Sequence, residues 1–158
     1  MLKITADTNI LISAAIAKGN EFEILRFAKL GKIELILSMN ILKEFKDVIS
    51  RPKFGFSEEQ IICVFKNILG ICTIVAPSAS ISIIKEDPAD NKILECADTG
   101  KADYIISGDS HLLDLKSYSG IKIARTSDIL KILSGKKCPA ITRSSWTLTT
   151  TANARKKM

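Results

Sequence analysis

Apolar residues occur along the chain in short continuous runs separated by longer stretches with helical spacing. Residues 2–6, 33–37, 71–75, 104–107 and 121–124 are runs of strand length, bounded by glycine, aspartate or serine. Between them lie amphipathic stretches with punctuation at their ends. The pattern predicts a helix over 9–17 that closes near Gly19. A second spans 21–30, with Asn20 as its cap, Glu23 at its third position and Gly31 beyond its end. Ser38 caps a helix to about residue 50, stopped ahead of Pro52. Ser57, followed by Glu58 and Glu59, opens a helix that ends at Gly70. Pro88 fits the first position of a helix over 88–99, closed by Gly100. A helical turn over 111–115 and a final helix from Thr126, read as its cap, to residue 133 complete the order. The short apolar segment 81–84 has no assigned role. Strand and helix alternate throughout, which predicts an α/β fold. The expected form is a three-layer α/β/α arrangement around a central, mainly parallel sheet. Ligands in such sheets bind beyond the carboxyl ends of the strands, near the point where strand order reverses.

Length and charge refine this picture. With 158 residues the chain is expected to be one domain. The formal charge is +6, from 23 basic and 17 acidic residues, but the excess sits at one end. From Ser134 onward there are six basic residues (Lys136, Lys137, Arg143, Arg155, Lys156 and Lys157) and no acid. Residues 1–133 therefore form a neutral body, and 134–158 a basic tail without periodicity that reads as flexible. A nucleic-acid argument from overall pI does not apply to the body. Cys63, Cys72, Cys96 and Cys138 form no CxxC pair, and the single histidine, His111, has no cysteine near it in sequence, which excludes a zinc knuckle. Cys63 and Cys96 read as buried thiols, and reduced cysteines suit a cytoplasmic protein. The longest uncharged run, 67–84, contains Gly70, Pro77 and three serines, so no membrane span is expected.

Four carboxylates stand out by position. Asp7 directly follows the first strand, and Asp109 follows the strand at 104–107 after one glycine. Either residue alone is an ordinary turn or cap. Asp90 is less ordinary. At about 100° per residue, with Ile93 at 0°, it falls at about 60°, inside the apolar stripe of Ala97 and Leu94. Glu95 and Asp98 fall at about 200° and 140°, away from that stripe. A charged group on the sheet-facing side costs several kcal/mol unless it is compensated, on the order of the penalty for any buried ion. Glu44 lies on the border of its own helix's stripe, whereas Lys43, Lys46 and Asp47 point away. Four acids from separate segments can meet beyond one sheet edge only if a cation offsets their repulsion. Carboxylate oxygens suit Mg²⁺ or Mn²⁺, and the chemistry such a centre supports is phosphodiester hydrolysis.

These residues resemble the PIN-domain ribonucleases, and within them the VapC-like toxin components of toxin–antitoxin pairs. The motifs are Ala-Asp-Thr-Asn at 6–9, the helix acid Glu44, Asp-Pro-Ala-Asp-Asn at 87–91 and Ala-Asp-Tyr-Ile-Ile-Ser-Gly-Asp at 102–109. The likeness spans residues 1–133. It implies that Asp7, Glu44, Asp90 and Asp109 form the acidic quartet that holds Mg²⁺ or Mn²⁺ and carries catalysis. Thr8, Asn9 and Ser107 match supporting polar positions. It further implies an RNA substrate, a homodimer and an antitoxin that blocks the site. The chain departs from the family pattern at two positions. Ser107 stands where threonine is frequent, and His111 stands where a further acid is frequent. His111 reads as an exposed loop histidine, with substrate contact as the alternative. Asp87, directly before Pro88, reads as a cap. Lys43, Lys46, Arg51 and Lys53 are the basic residues near Glu44 that RNA would meet.

Two other readings use the same residues. A PIN-like domain without activity would bind RNA or protein only. A haloacid-dehalogenase-type phosphatase also places an aspartate after its first strand, but it needs a second one two residues on. That position is Asn9, which cannot deliver a proton. Neither G-x-G-x-x-G nor a Walker motif is present.

Overall fold

The computed structural model describes residues 1–77 and 90–134. The segment 81–84, Asp87, Pro88 and the tail from 135 onward lie outside the described residues. Six strands form one sheet: β1 (Leu2–Ala6), β2 (Ile33–Ser38), β3 (Cys72–Val75), β4 (Tyr104–Ile106), β5 (Ser117–Tyr118) and β6 (Ile121–Ala124). Their spatial order is β3-β2-β1-β4-β6-β5, with every neighbouring pair parallel except β5–β6. Seven α-helices accompany them among the described residues: α1 (Thr8–Ile16), α2 (Asn20–Lys29), α3 (Met39–Ile49), α4 (Glu58–Leu69), α5 (Asn91–Thr99), α6 (Ser110–Leu115) and α7 (Thr126–Ser134). A short 3₁₀ turn at Pro52–Phe54 links α3 to α4.

The chain steps outward from β1 to β2 to β3, then returns across β1 to β4 and continues to β6. Right-handed crossovers in opposite directions carry their helices to opposite faces, which yields the three-layer α/β/α arrangement. The order reverses at β1, so the crevice between the carboxyl ends of β1 and β4 is the switch point of the sheet. Asp7 follows β1 there, and Ser107, Gly108 and Asp109 follow β4.

The apolar stripes of α1, α3 and α5 close over the sheet. Phe45, Leu11, Ile41, Leu35, Ile36, Leu37 and Ile93 are all fully enclosed. The interior thiols behave as small apolar groups. Cys63 and Cys96 are buried and neither forms a disulfide, and burial pushes the Cys96 thiol up to about 11. Cys96 Sγ also donates to the Ile36 carbonyl at 3.7 Å, tying α5 to β2.

Local signals account for most boundaries, with corrections. Ser38 caps α3 by accepting from the Ile41 amide at 3.3 Å. Ser57 caps α4 with Glu58 and Glu59 in its first turn as expected, and Gln60 completes a capping box. Asn20 does not cap α2. It is the first helical residue, and Gly19 stands at the cap without a side-chain bond. Thr126 likewise lies inside α7; the Arg125 carbonyl accepts from the Asp128 and Ile129 amides, and the buried Thr126 hydroxyl has no partner among the described residues. The β5 strand was not expected at all.

Gly100 ends α5 close against β2. Its φ of −82° suits any residue, so the requirement for glycine is steric. An added Cβ would lie 2.5 Å from Ile36 Cγ2 and 3.1 Å from its Cδ1. Gly100→Ala is expected to destabilise the fold by about 1–3 kcal/mol through overpacking. The check is a lower urea midpoint at unchanged slope.

Candidate metal centre

Asp7 is the N-cap of α1, so its position is set by strand β1 before it and the helix after it. Its carboxylate is almost wholly enclosed, at 4% exposure. One oxygen, Oδ1, accepts from the Ile10 amide at 2.9 Å. The other, Oδ2, accepts from the Ser107 hydroxyl in a short hydrogen bond. Ser107 Oγ in turn accepts from the Asp109 amide at 2.9 Å. The fully buried Ser107 thus links the segments after β1 and β4 through a single oxygen. Burial pushes the Asp7 carboxyl above its ordinary range, and the nearby Asp109 charge adds to that rise. The Ser107, Ile10 and Asn9 hydrogen bonds oppose it.

Asp109 is the N-cap of α6, accepting from the His111 amide at 2.7 Å. Asp90 stands at the N-cap position of α5, where its side chain makes no cap bond to the helix. Ligand atoms of Asp90, Asp109 and His111 all lie within 4.8 Å of one another. Glu44 is on α3, half-exposed. Its Oε2 accepts from Thr8 Oγ1 at 2.6 Å and pairs with Lys92 Nζ at 2.7 Å.

Of the four acids singled out in sequence, then, Asp90 and Asp109 share one ligand cluster. Asp7 adjoins it through Ser107, and Glu44 is turned to Thr8 and Lys92. Asn9 is exposed, and no side-chain bond ties it to these acids. The face argument for α5 agrees with its packing: Ile93, Leu94 and Ala97 are buried, Asp98 is exposed and Glu95 is half-buried. The donors fit a divalent cation. Two carboxylates and an imidazole converge on one small space, next to a third carboxylate whose charge is costly where it stands.

A pocket of about 210 Å³ opens beside Ser107. It is lined by Asn20, Gly108, Arg125 and Ser127, with Glu21 on the same wall. Lys43, Lys46, Arg51 and Lys53 are all exposed. Lys46 and Lys53 lie over the rings of Phe65 and Phe54, at 5.8 and 5.0 Å from their centroids.

The family profile described as PIN domain matches residues 3–111. The chain belongs to the PIN-domain family. That match runs from β1 to the start of α6 and so includes each acid discussed above. PIN domains are as a rule nucleases that use divalent metals, and an acidic cluster is present in this chain. No curated protein matches the chain at a significant level. No helix among the described residues is long and apolar enough to cross a membrane.

Two residues lie closer to these acids than the sequence reading gave. Lys92 lies two positions after Asp90, and only the packing of α5 against α3 reveals it as the counter-ion of Glu44. His111 is exposed as expected, but its ring belongs to the ligand cluster rather than to a featureless loop. The signal available for it was its distance from Asp109, two residues on within the first turn of a helix that Asp109 caps.

The Ser107 bridge gives a direct test. Ser107→Ala leaves Asp7 Oδ2 and the Asp109 amide without their shared partner. This is expected to cost about 1–3 kcal/mol in stability, the usual penalty for orphaning a buried polar group. Ser107→Thr keeps the hydroxyl and should recover most of that loss. Thermal midpoints of the three proteins decide it.

Proposed function

We propose that this chain is a divalent-metal-dependent endoribonuclease that hydrolyses RNA phosphodiester bonds, with Asp7, Glu44, Asp90 and Asp109 as its metal-holding and catalytic acids. The observation that carries this reading is the convergence of acids from β1, α5 and the β4–α6 turn at the switch point of the sheet. A bound divalent cation supplies activation of the attacking water and offsets charge developing on the phosphate. Asp90 and Asp109 hold that cation. Asp7 adds a carboxylate whose orientation is fixed by Ile10 and Ser107. Thr8 and Lys92 hold Glu44 through a hydrogen bond and an ion pair. Arg125 in the adjoining pocket and the exposed Lys43, Lys46, Arg51 and Lys53 supply the local positive charge that a neutral body otherwise lacks.

The role of toxin in a toxin–antitoxin pair, a homodimer and an antitoxin that covers the site extend this proposal. They rest on the VapC-like resemblance of the motifs. Light scattering reads the dimer, and co-purification with the product of the adjoining gene reads the antitoxin.

The test of the reaction uses end-labelled single-stranded RNA with Mg²⁺ or Mn²⁺. Internal cleavage products that disappear with a chelator and return with added cation are expected. RNA binding without cleavage in either cation would favour a binding module instead. Release of phosphate from an aryl phosphate without RNA cleavage would favour the phosphatase, against the exposed Asn9 at the position that reaction needs for its acid.

A further inference from the structure

We propose that His111 is a direct ligand of the metal in this centre, and that the site therefore takes a first-row transition-metal dication such as Mn²⁺ in preference to Mg²⁺. The inference rests on the metal-dependent reading above and assigns one more residue to the same site.

His111 lies in the first turn of α6, immediately after the Asp109 cap. Its own amide donates to Asp109 Oδ1 at 2.7 Å, which fixes the backbone of one residue against the side chain of the other. The ring then lies beside the same carboxylate, with Nδ1 at 3.6 Å from Oδ1. That separation is too long for a hydrogen bond and within reach of an ion pair when the ring is protonated. Asp90 arrives from a different segment, at the start of α5, and brings a carboxylate oxygen into the same space.

Size also favours a shared ion. Ligands at about 2.1 Å from a small dication stand at most roughly 4.2 Å apart. The three donors here lie within 4.8 Å of one another, so rotamer shifts of tenths of an ångström bring them onto one ion. A divalent ion draws them together, whereas two carboxylates alone repel each other.

The chemical consequence is selectivity. Mg²⁺ favours an octahedral shell of oxygens and gives up water reluctantly, whereas imidazole nitrogen suits the first-row transition metals. Replacing an oxygen donor by the imidazole of His111 moves the site toward the latter.

The chain contains one histidine, so a nitrogen bonded to the metal through an imidazole can only be His111. The experiment loads the untagged full chain with Mn²⁺ and records electron spin-echo envelope modulation. Calorimetry measures Mn²⁺ and Mg²⁺ binding to the same protein, to His111→Ala and to His111→Asp. His111 is exposed, so these variants should keep the fold, which far-UV dichroism checks. A ¹⁴N coupling in the native protein that vanishes in both variants is expected. So is a fall of about tenfold in the Mn²⁺-to-Mg²⁺ affinity ratio in His111→Asp, the scale on which a single ligand is felt. Mn²⁺ that binds without nitrogen coupling, and with affinity unchanged in His111→Ala, overturns the inference and leaves the acidic centre standing. A ¹⁴N coupling that persists in His111→Ala also overturns it. Absence of Mn²⁺ binding altogether overturns both this inference and the metal-dependent reading beneath it.

Discussion

Asp90→Ala is expected to lower RNA cleavage by at least about 1,000-fold, equivalent to roughly 4 kcal/mol of transition-state stabilisation. Asp98→Ala and Glu95→Ala should stay within about threefold of the native rate, the usual range for residues outside the chemistry (about 0.6 kcal/mol). All three acids lie within nine residues on or beside one helix, yet they have different surroundings. Asp90 shares its space with Asp109 and His111 at the amino end of α5. Asp98 is exposed near the other end, and Glu95 is on the flank opposite Ile93 and Leu94. Single-turnover rates at saturating Mn²⁺ compare them directly, and thermal midpoints separate loss of chemistry from loss of fold. An equal loss in all three variants would mean that the helix acts as a unit and that the face of the acid is irrelevant.

Asp7→Asn is expected to abolish cleavage and at the same time to stabilise the metal-free protein. Asparagine caps a helix about as well as aspartate, so the bond from the Ile10 amide survives. What the substitution removes is a charge that burial and Asp109 both disfavour. The sign follows from linkage. The folded carboxyl titrates above its ordinary 3.8, so the native state binds a proton more tightly than the unfolded chain does. Stability is then lost as pH rises from that ordinary value through the raised one, and the penalty is full at neutral pH. The variant does not titrate and escapes the penalty. At pH 7 without metal its melting temperature should exceed the native one by roughly 2–4 °C, the shift that about 1 kcal/mol produces in a chain of this size. Below pH 3 the gap should close. Saturating Mn²⁺ should reverse the order, because the native protein gains more from binding. Differential scanning fluorimetry at two pH values, with and without Mn²⁺, reads all four arms. A metal-free variant less stable than the native protein at pH 7 would contradict the electrostatic account.

The sheet was largely legible because its strands are short segments rich in apolar residues, even though Lys3, Glu34, Thr73 and Lys122 interrupt them. All five expected runs are strands, with ends shifted by at most one residue. The two-residue β5 carries no such run. It exists because Ser119 and Gly120 both adopt positive φ, at 50° and 80°, and fold the chain back onto β6. That is a hairpin turn of the kind Ser-Gly can supply, and the dipeptide was the missed signal. Capping was harder to read. Asn20 and Thr126 are good cap residues by type, but the chain enters α2 and α7 one residue earlier, at Gly19 and Arg125. At the centre, Asp7, Asp90 and Asp109 could be singled out from strand ends and helix faces, which are local properties. Lys92 opposite Glu44 depends on how α5 packs against α3, and no local pattern encodes that.

The order of the strands also governs when this centre comes into being. Asp7 is made about a hundred positions before Ser107 and Asp109, the residues after β4 that it works beside. In space β4 lies between β1 and β6, so its carboxyl end takes its place against Asp7 only after a long stretch of chain has closed into register. Contacts this far apart in sequence form late and slowly. A nascent chain still lacking β4 has Asp7, Glu44 and Asp90 but neither Asp109 nor His111. The centre therefore stays incomplete until β4 and the turn after it have been made.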